Sequence, residues 1–444
     1  MYKDMFIKDI VANAQKLFGN KVRACGWIHR VRDLGNVKFL VLRDRTGLIQ
    51  VVAKKGETPE PVFQKASDLR EEDVVCAEGI LRSAPTKEGC EIAVSDLLVL
   101  STPVEPLPLE VKTSRKASLP TRLRYRWLDL RNLEVQSIFL FKAWVAAKFR
   151  EYFSKQGFVE IFTPKIVATG TEGGANLFPV IYFGKTVYLA QSPQFYKQMG
   201  VIAGFERVFE IGPVYRAEPH NTTRHLNEYH SLDIEVGFIK SYEDVMKFVE
   251  GFFAYLTKSI LENEEIKKIL ETHNVEPPRA PPEGFPKIRM RDAYKILEEE
   301  FNKRIPYGED LDSEAEKLLG QYAKEKYNSD FVFIIEYPWR VRPFYTMRKE
   351  DEPEWTYSFD LLMRGMEVAT GGQREHRYEK LLENLRDKGM RTEDFEFYLE
   401  FFKHGVPPHG GAGIGLERIV MQTLGLLNIR EARLLPRDLE RLTP

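Results

Sequence analysis

In this 444-residue chain, the residues best suited to chemistry lie in the segment 209–218. A polar stretch follows this segment, and residues 231–235 come after the polar stretch. The pattern predicts two strands joined by a long charged loop. Residues two apart on a strand share a face, so Arg216 and Glu218 are expected to point the same way. A guanidinium and a carboxylate side by side can bind a phosphate and a base amine. The run therefore predicts an ATP site on an antiparallel sheet, with a solvated surface hairpin as the alternative.

Two further segments carry groups that suit a nucleotide. The loop of the predicted hairpin contains Arg224 and His225. Residues 407–418 combine a glycine-rich run, which lets a backbone approach a ligand closely, with a helix start and the guanidinium of Arg418. We expect Arg418 to face the polyphosphate, and a plain glycine-rich strand-to-helix turn is the alternative.

Residues 359–375 carry oxygen ligands and another arginine. Glu367 and Thr370 offer the hard oxygen atoms that magnesium prefers. Arg374, which follows a Gly-Gly pair, could bind a carboxylate through two parallel hydrogen bonds. A strand-to-helix junction with exposed charges would explain the same residues without a ligand.

Two segments between residues 169 and 198 complete the set of candidates. Lys197 lies at the start of a predicted helix, where an ordinary exposed lysine is the simpler interpretation. Residues 169–175 form a glycine-rich loop with Glu172 at its centre, and this composition is typical of a lid.

Composition limits the class of protein. The 65 basic and 66 acidic residues nearly cancel, which excludes a uniformly basic nucleic-acid coat but not a local basic face. The cysteines Cys25, Cys76 and Cys90 lack close metal-type spacing, so we expect reduced thiols in a cytosolic protein and no structural zinc. The N-terminal residues have no apolar core of signal-peptide length, and no later run could span a bilayer. The expected location is cytoplasmic, without a membrane partner.

The first hundred residues predict a small β-barrel. Short alternating strands are expected at residues 22–29, 37–43, 49–53, 73–80 and 91–100. About five strands in such a length suit a closed barrel of the OB type, which binds single-stranded nucleic acid on its open face. Other small β folds would also fit this pattern.

The rest of the chain predicts an α+β domain with an antiparallel sheet flanked by helices. A long helix is expected at 134–156, where apolar residues recur at helical spacing. Predicted strands follow at 159–162, 187–191, 208–215 and 232–238, and predicted helices at 242–270, 290–303, 313–327, 374–388, 392–403 and after 415. Strands and helices mix without βαβ regularity. We therefore predict a barrel at 1–104, a linker at 105–133 and a second domain at 134–444.

Several of these segments, in this order, resemble the motifs of the class II aminoacyl-tRNA synthetases. Residues 157–164 are similar to motif 1 of that family, 209–235 to motif 2 and 411–420 to motif 3. A closer resemblance, to the aspartyl-tRNA synthetases of the archaeal and eukaryotic type in subclass IIb, rests on residues 25–35, 171–174, 191–198, 371–377 and 435–444. It covers nearly the whole chain.

The resemblance implies an enzyme that activates L-aspartate with ATP as aspartyl-adenylate and transfers the aspartyl group to the 3′ end of the aspartate tRNA, tRNA(Asp). Arg216 and Arg418 would be catalytic at the phosphates, and Glu367 and Thr370 would hold magnesium, the implied cofactor. Archaeal members more often have serine where Thr370 stands. The further residues implied for ATP are Glu218, Arg224, His225, Leu226, Gly415, Leu416 and Glu417.

For the amino acid, the resemblance implies that Lys197 and Arg374 bind the side-chain carboxylate, with Asp233 orienting Lys197. Buried cations that face a neutral amide lose much of their compensation, so asparagine should be rejected. The full set implied for aspartate is Glu172, Gln194, Lys197, Arg216, Asp233, Thr370 and Arg374.

On the predicted barrel, the resemblance implies that Phe39 stacks on an anticodon base and that Arg32 and Gln50 bind base edges or phosphates. Without the family context, a core aromatic is the simpler interpretation of Phe39. Archaeal members selective for tRNA(Asp) often have tryptophan where this chain has His29, whereas histidine is similar to members that also charge the asparagine tRNA, tRNA(Asn). Lys87, in the loop 84–89, is a second candidate for tRNA discrimination, and the histidine at position 29 favours relaxed tRNA choice.

The resemblance also implies a homodimer and leaves two rival functions. An asparaginyl-tRNA synthetase would share the fold and the motifs. A synthetase-like paralogue that makes free asparagine, or that only binds, is the other rival. Lys197 and the sequence of residues 222–228 favour an aspartyl-tRNA synthetase over an asparaginyl-tRNA synthetase. The intact barrel and the three arginines argue against a paralogue that makes free asparagine or only binds.

Overall fold

The N-terminal part of the chain forms a closed barrel of short alternating strands. The computed structural model describes residues 1–171, 176–219 and 222–444, and it separates into two units, Met1–Gln136 and Ser137–Pro444. The elements of the barrel, in chain order, are α1 (Ile7–Ala12), α2 (Ala14–Leu17), β1 (Lys21–Asp33), β2 (Val37–Asp44), β3 (Gly47–Lys54), α3 (Glu60–Asp68), β4 (Val74–Ser83) and β5 (Cys90–Ser101).

The strand order around the barrel is β1-β2-β3-β5-β4, and each strand predicted from the alternation of apolar residues is present. Side chains that alternate inward fill the barrel core, among them Leu40, Leu42, Ile49, Val51 and Ile92, which are almost inaccessible to solvent. The prediction of an OB-type barrel is confirmed.

The cysteines correct one expectation. Cys25 and Cys76 form a disulfide, whereas Cys90 is a free, buried thiol. The register of β1 against β4 places Cys25 directly opposite Cys76, although 51 positions separate them along the chain. The prediction of reduced thiols was therefore wrong for this pair, because sequence spacing does not reveal which strands become neighbours.

Short helices follow the barrel and lead into one long helix. They are a 3₁₀ turn at Ser114–Lys116, α4 (Leu119–Arg124), α5 (Arg126–Asp129) and α6 (Leu133–Lys155). On α6 the apolar residues at helical spacing, Ile138, Phe141, Val145, Phe149 and Phe153, are all buried. Gly157, with φ of +78°, ends this segment in a conformation that suits glycine. The boundaries of the linker at 105 and 133 remain predictions.

The second unit is built on a large, mainly antiparallel sheet. The strands after the barrel are β6 (Val159–Glu160), β7 (Ile166–Val167), β8 (Pro179–Tyr182), β9 (Lys185–Leu189), β10 (Arg207–Tyr215), β11 (Glu228–Gly237), β12 (Lys287–Arg289), β13 (Phe331–Ile335), β14 (Ser358–Met363), β15 (Met366–Gln373) and β16 (His409–Gly415). The large sheet has the order β12-β13-β14-β15-β16-β11-β10-β6, and β7, β9 and β8 form a small separate sheet.

Helices of the second unit pack against this sheet or lie at its ends. They are α7 (Gln194–Gly200), α8 (Tyr242–Glu262), α9 (Glu264–Thr272), α10 (Met290–Phe301), α11 (Ser313–Tyr327), α12 (Tyr378–Asp387), α13 (Glu396–Leu399) and α14 (Leu416–Leu424). Short helices of other types are a π-type turn at Val201–Phe205 and 3₁₀ turns at Trp339–Val341, Thr392–Phe395, Glu400–His404 and Ile429–Ala432. The predicted α+β class is confirmed.

Two predicted helices differ from the observed ones. The helix expected at 374–388 begins only at Tyr378, because β15 continues to Gln373 and Arg374 still donates its backbone N–H to the neighbouring strand residue His409. The helix expected at 392–403 is broken into 3₁₀ and α turns, since its aromatic residues fill an irregular cluster around Phe195. In both places tertiary packing overrides local helix propensity.

Candidate active site

A cavity of about 610 Å³ lies on the second unit, where β10, β11, β14, β15 and β16 face α7 and α11. The residues around it include most of those predicted from the sequence: Gln194, Lys197, Arg216, Glu218, Arg224, His225, Leu226, Asp233, Glu367, Thr370, Arg374, Gly415, Glu417 and Arg418. Leu416 instead packs into the hydrophobic core. Glu172 lies outside the described residues. The fold thus brings together side chains from four distant segments of the chain.

Lys197 lies at one end of this cavity and is only 2% exposed. Its Nζ donates to Asp233 Oδ1 at 2.8 Å and to the carbonyl of Ala412 at 3.2 Å. The simple interpretation, an exposed lysine at the start of a helix, is therefore excluded. Asp233 holds the ammonium in place, in the arrangement that was expected.

Glu235, which the sequence analysis did not single out, joins the two cations expected to bind the substrate carboxylate. Its Oε2 lies 3.4 Å from Lys197 Nζ, and its Oε1 accepts a hydrogen bond from Arg374 Nε at 3.0 Å. Burial raises the pKa of Glu235, but the charges of Arg374 and Lys197 outweigh it and hold the pKa below its usual value. Glu235 is therefore ionised and keeps both cations at fixed positions.

The glycines of β16 make room for these carboxylates. Gly411 pairs with Glu235 and Gly413 pairs with Asp233 across the β11–β16 ladder. A Cβ atom on Gly411 would lie 2.0 Å from Glu235 Oε2, so a larger residue would displace that carboxylate. Gly411 is therefore required for packing inside the sheet, whereas a Cβ atom on Gly413 would lie at an ordinary contact distance, 3.5 Å, from Asp233 Oδ1.

A chain of hydrogen bonds supports the end of the cavity at which Lys197 and Arg374 lie. Gln194 Nε2 donates to Gln198 Oε1 at 3.0 Å, and Gln198 Nε2 donates to His409 Nε2 at 2.8 Å. His409 Nδ1 donates to the carbonyl of Pro407, which leaves Nε2 as the acceptor. Burial lowers the pKa of His409 to about 4, so the imidazole is neutral at neutral pH.

The other end of the cavity is formed by the segment between β10 and β11. Arg216 follows the last residue of β10, and its Nη1 lies 4.0 Å from Glu218 Oε1. His225 Nε2 lies 3.9 Å from Glu218 Oε2, on the other side of the carboxylate. The predicted pairing of Arg216 with Glu218 on one side of the hairpin is present, although both residues lie just beyond the strand. The side chain of Arg216 is 37% exposed, in contrast to that of Lys197.

Arg224 is held by a carboxylate that was not predicted. Its Nη2 donates to both carboxylate oxygens of Glu316, at 2.7 and 2.9 Å, and Glu316 Oε2 also accepts the backbone N–H of Glu367. Burial raises the pKa of Glu316, and the hydrogen bond from Arg224 opposes this rise. Glu316 lies on α11 and so ties the loop residue Arg224 to β15.

Arg418 and Glu367 lie next to each other in the cavity. Arg418 Nη1 is 3.2 Å from Glu367 Oε2 and donates to the Glu367 carbonyl at 2.9 Å. Burial raises the pKa of Glu367, but the charges of Arg418, Arg342 and Arg224 bring it below its usual value. Arginines therefore neutralise this carboxylate in the structure.

Oxygen donors for magnesium lie on β14 and β15. Asp360 pairs with Thr370 across these strands, and Arg342 contacts both, with Nη2 at 2.7 Å from Asp360 Oδ1 and Nη1 donating to the Thr370 hydroxyl at 3.1 Å. Burial raises the pKa of Asp360 to about 6. Together with Glu367 these groups offer the hard oxygens that magnesium prefers, so the donor chemistry fits.

Among the described residues, no group of three or more His, Cys, Asp and Glu side chains is placed to hold a metal ion on its own. Magnesium is commonly bound by one or two carboxylates together with substrate phosphates. An ion at Glu367, Thr370 and Asp360 would therefore need oxygen atoms from a bound nucleotide.

Glu417 has partners that differ from the expected nucleotide. Its carboxylate accepts from Lys142 Nζ at 2.6 Å, from the backbone N–H of His230 at 3.0 Å and from Arg433 Nη1 at 3.2 Å. Burial raises its pKa, and Lys142 and His230 lower it to about 2. Glu417 thus anchors the start of α14, next to Gly415, and its role towards ATP stays a prediction.

The barrel carries the other predicted site. Arg32 lies opposite Phe39 across β1 and β2, and Gln50 lies opposite Val41 across β2 and β3. Residues directly opposite each other share a face, and so do residues two apart on one strand. Arg32, Phe39 and Gln50 therefore lie on one face of the barrel, where Phe39 is half-buried and Arg32 is exposed.

His29 lies at an irregularity in the pairing of β1 with β2. Its Nδ1 is 3.0 Å from Arg43 Nη1, and Arg43 forms two hydrogen bonds of 2.8 Å to Glu72. Burial and the charge of Arg43 lower the pKa of His29, so its Nδ1 accepts the hydrogen bond and its Nε2 carries the proton. Lys87 is exposed in the turn between β4 and β5.

Comparison with known proteins matches this architecture. The family model described as tRNA synthetases class II (D, K and N) matches residues 118–439, and the model of the OB-fold nucleic acid binding domain matches residues 22–100. The chain belongs to the class II tRNA synthetases. Members of this family use ATP and magnesium.

Relatives of this synthetase include enzymes named for aspartate. The chain is 67% identical over 444 residues to the aspartate–tRNA(Asp/Asn) ligase of Aeropyrum pernix, with 100% of both chains covered. It is 49% identical over 432 residues to the aspartate–tRNA(Asp) ligase of Pyrococcus abyssi, which covers 97% of this chain and 98% of the relative. A solved asparaginyl-tRNA synthetase from Pyrococcus horikoshii, complexed with asparaginyl-adenylate, superimposes with a TM-score of 0.90 at 33% identity and full coverage of both chains.

The synthetase contains site residues that sequence reasoning missed, and one of them left a signal. Asp233 and Glu235 are two apart on β11, so the alternation of a strand places both on the face of Lys197. Glu316 and Asp360 left no comparable signal, since they reach the cavity through the packing of α11 and the register of β14 with β15. Within residues 1–171, 176–219 and 222–444, every helix of the synthetase is too short or too polar to cross a membrane.

Proposed function

We propose that this synthetase is an aspartate–tRNA ligase that joins L-aspartate to the 3′ end of tRNA(Asp) at the expense of ATP. The observation that carries the proposal is the pair of buried cations at one end of the cavity, Lys197 and Arg374. The names of the relatives support the same amino acid.

Aspartate would bind with its side-chain carboxylate between these two cations. Glu235 accepts from Nε and Nη2 of Arg374, and Nη1 would donate to the substrate carboxylate. Asp233 and Glu235 compensate the buried positive charge. A side-chain carboxylate would accept charge-assisted hydrogen bonds from both cations, whereas a neutral asparagine amide would form weaker ones, which favours aspartate.

The first chemical step needs no nucleophile from the protein. An oxygen of the aspartate α-carboxylate attacks the α-phosphorus of ATP, the bond to the bridging oxygen breaks, and pyrophosphate leaves with the electron pair. Arg216 would contact the α-phosphate and the α-carboxylate, and Arg418 would neutralise charge at the far phosphates or stack on adenine. Positioning and charge neutralisation are the main contributions that a protein makes to phosphoryl chemistry.

Other residues of the nucleotide end would bind adenine and the phosphates. Glu218, Arg224 and His225 offer charged and polar groups at the loop, and Leu226 offers an apolar surface. In the second step, a hydroxyl of the terminal tRNA ribose attacks the carbonyl carbon of aspartyl-adenylate, and AMP leaves.

Magnesium would bind at Glu367 and Thr370, with Asp360 as a further oxygen donor. When bound, the ion neutralises phosphate charge and orients the polyphosphate. Arg418 and Arg342 contact these oxygen donors and would contribute further positive charge beside the ion.

The barrel would bind the anticodon of the tRNA. Phe39 would stack on a base, flanked by Arg32 and Gln50 on the same face. We infer that the synthetase also charges tRNA(Asn), because histidine stands at position 29 and the relative from Aeropyrum pernix is named for both tRNAs. Lys87 is the second candidate for this choice.

A second copy of the chain would complete the enzyme. Apolar side chains around the edge strand β6 are exposed in the single chain: Val159, Phe162, Phe205 and Phe238, with Phe162 82% exposed. A patch of this kind favours a protein–protein interface, and motif 1 of the family lies here. We therefore infer a homodimer, which sedimentation of the purified chain would test, in a cytoplasmic enzyme.

The rival functions make different products. An asparaginyl-tRNA synthetase would activate asparagine, and an asparagine-making paralogue would release free asparagine without charging tRNA. The test is a charging assay with both amino acids and with transcripts of tRNA(Asp) and tRNA(Asn). We expect aspartate on both tRNAs; a preference for tRNA(Asp) above about 100-fold, or roughly 2.7 kcal/mol, would contradict relaxed tRNA choice, and absence of aspartyl-tRNA would contradict the function itself.

A further inference from the structure

The C-terminal segment, residues 428–444, lies against the loop that joins β10 to β11. This loop, called the nucleotide loop here, consists of residues 216–219 and 222–227 among those described. Arg430 Nη1 donates to the carbonyl of Thr222 at 2.9 Å, and the backbone N–H of Ile429 donates to the carbonyl of Thr223 at 2.8 Å. The residues directly before Arg224 and His225 are thus fixed by the C-terminal segment.

The same segment also holds the far end of the nucleotide loop. The backbone N–H of Asn227 donates to the carbonyl of Arg437 at 3.1 Å, and the carbonyl of Asn227 accepts the backbone N–H of Arg216 at 2.9 Å. The side-chain amide of Asn227 donates to the carbonyls of Arg216 and Glu218, at 2.7 and 3.1 Å. Arg437 therefore anchors Asn227, which bonds the backbone of both Arg216 and Glu218.

The C-terminal segment is itself held in place by hydrogen bonds within the segment and to neighbouring elements. Arg430 is buried, and its Nε donates to Asp438 Oδ2 at 2.6 Å. Asp438 Oδ1 accepts the backbone N–H groups of Glu440 and Arg441, at 3.0 and 2.9 Å. Arg433 reaches Glu417 Oε1 with Nη1 and Glu228 Oε1 with Nη2, which ties the segment to α14 and β11.

A loop without strand pairing needs such contacts to present its side chains in one geometry. Each residue ordered in a single conformation costs about 1–2 kcal/mol of backbone entropy. Arginine N–H groups that bond backbone carbonyls can hold a loop because these bonds are charge-assisted. Arg430 contacts Thr222 and Arg437 contacts Asn227, and neither of these loop residues has a proposed ligand contact.

We propose that the C-terminal segment positions the nucleotide loop for ATP, with Arg430 as its principal positioning residue. Arg430 touches no substrate and acts through Thr222 and the residues that follow it. The proposal rests on the proposed function, because it assigns the loop to ATP. It predicts a selective effect on ATP, since Arg430 holds Thr222, close in sequence to Arg224 and His225, whereas Arg216, which would also contact the aspartate α-carboxylate, is bonded to Asn227.

The test is aspartate-dependent ATP–pyrophosphate exchange by the full-length chain and its Arg430→Ala variant. We expect the KM for ATP to rise about 10-fold, the loss expected for a charge-assisted hydrogen bond, while the KM for aspartate changes less than about 2-fold. Arg430→Lys keeps a charge that can reach one carbonyl, so it should restore part of the ATP affinity. Arg441→Ala is the matched control, because Arg441 uses its backbone N–H and not its side chain to bond Asp438.

Each other outcome would overturn the proposal. An unchanged KM for ATP in Arg430→Ala, or equal rises in both KM values with a lower melting temperature, would assign Arg430 a merely structural role. If Arg430→Ala does not fold, the selective rise must appear in Arg430→Lys, and its absence there counts against the proposal. Failure of the wild-type chain to exchange with aspartate would instead refute the proposed function, which keeps the two failures distinguishable.

Discussion

The two ends of the cavity are built in different ways. At the aspartate end, Lys197, Asp233 and Glu235 lie on regular elements and Arg374 directly follows β15. All four are buried and form ion pairs with one another. At the nucleotide end, the charged groups lie on a loop, are partly exposed, and depend on partners outside the loop such as Glu316. The difference suggests that amino-acid choice is fixed by the rigid sheet, whereas nucleotide affinity can be adjusted through the loop's supports.

The largest effect is expected at the rigid end. Lys197→Leu leaves Asp233 and Glu235 buried with one cation fewer, and removing one partner of a buried ion pair costs about 3–5 kcal/mol. We expect kcat/KM for aspartate in pyrophosphate exchange to fall by about 150- to 5000-fold. Lys268→Leu, at an exposed position on α9, is the control. Near wild-type exchange in Lys197→Leu would end the assignment of Lys197 to the substrate carboxylate.

The second prediction concerns the hydrogen-bonded support behind the same end. His409 has a pKa of about 4 in the folded chain and about 6.5 when unfolded. Between these values the unfolded chain takes up a proton and the folded chain does not. The free energy of unfolding should therefore lose about 3 kcal/mol from this residue as the pH falls from 7 to 4, and none above pH 7.

Chemical denaturation of the wild type and of His409→Gln at pH 7 and pH 4 measures this contribution. The wild type should lose more stability than the variant on acidification, by about that amount. Equal losses in the two proteins would show that His409 is not held neutral, and would weaken the picture of a rigid aspartate end.

Much of this architecture was predictable because its signals are local. Alternation predicted the barrel strands and the β10–β11 hairpin, and helical spacing predicted α6 with its buried face. The carboxylate partners were not predictable in the same way. Glu316 follows no local pattern on α11, and Asp360 meets Thr370 only through strand register. The disulfide between Cys25 and Cys76 was missed for the same reason, since it joins strands far apart in sequence.

Substitution of a residue on the barrel, outside the cavity, should change substrate binding at neither end of the cavity. Phe39→Ala should raise the KM for tRNA about 10-fold, because base–aromatic stacking is worth roughly 1–3 kcal/mol. The KM values for ATP and aspartate in exchange without tRNA should not change. Phe18→Ala, which removes a partly exposed aromatic elsewhere on the same unit, is the control in the charging assay. A normal KM for tRNA in Phe39→Ala would return Phe39 to a structural role.

The smallest effect is expected at the adjustable end. Glu316→Gln weakens the support of Arg224 but keeps a hydrogen-bonding group of the same size. We expect the KM for ATP to rise about 5-fold with an unchanged KM for aspartate. Steady-state exchange with each substrate varied in turn measures both. A larger change in KM for aspartate than for ATP would show that the two ends are not independent. Glu314→Gln, at an exposed position two residues earlier on α11, is the control.

We infer that the buried charges of the sheet select aspartate. Amino-acid-dependent pyrophosphate exchange by the wild-type chain tests this selection directly. With ATP saturating, kcat/KM is measured for aspartate and for asparagine under the same conditions. We expect a preference for aspartate of at least about 100-fold, equivalent to roughly 2.7 kcal/mol. Equal activation of the two amino acids, or a preference for asparagine, would contradict it.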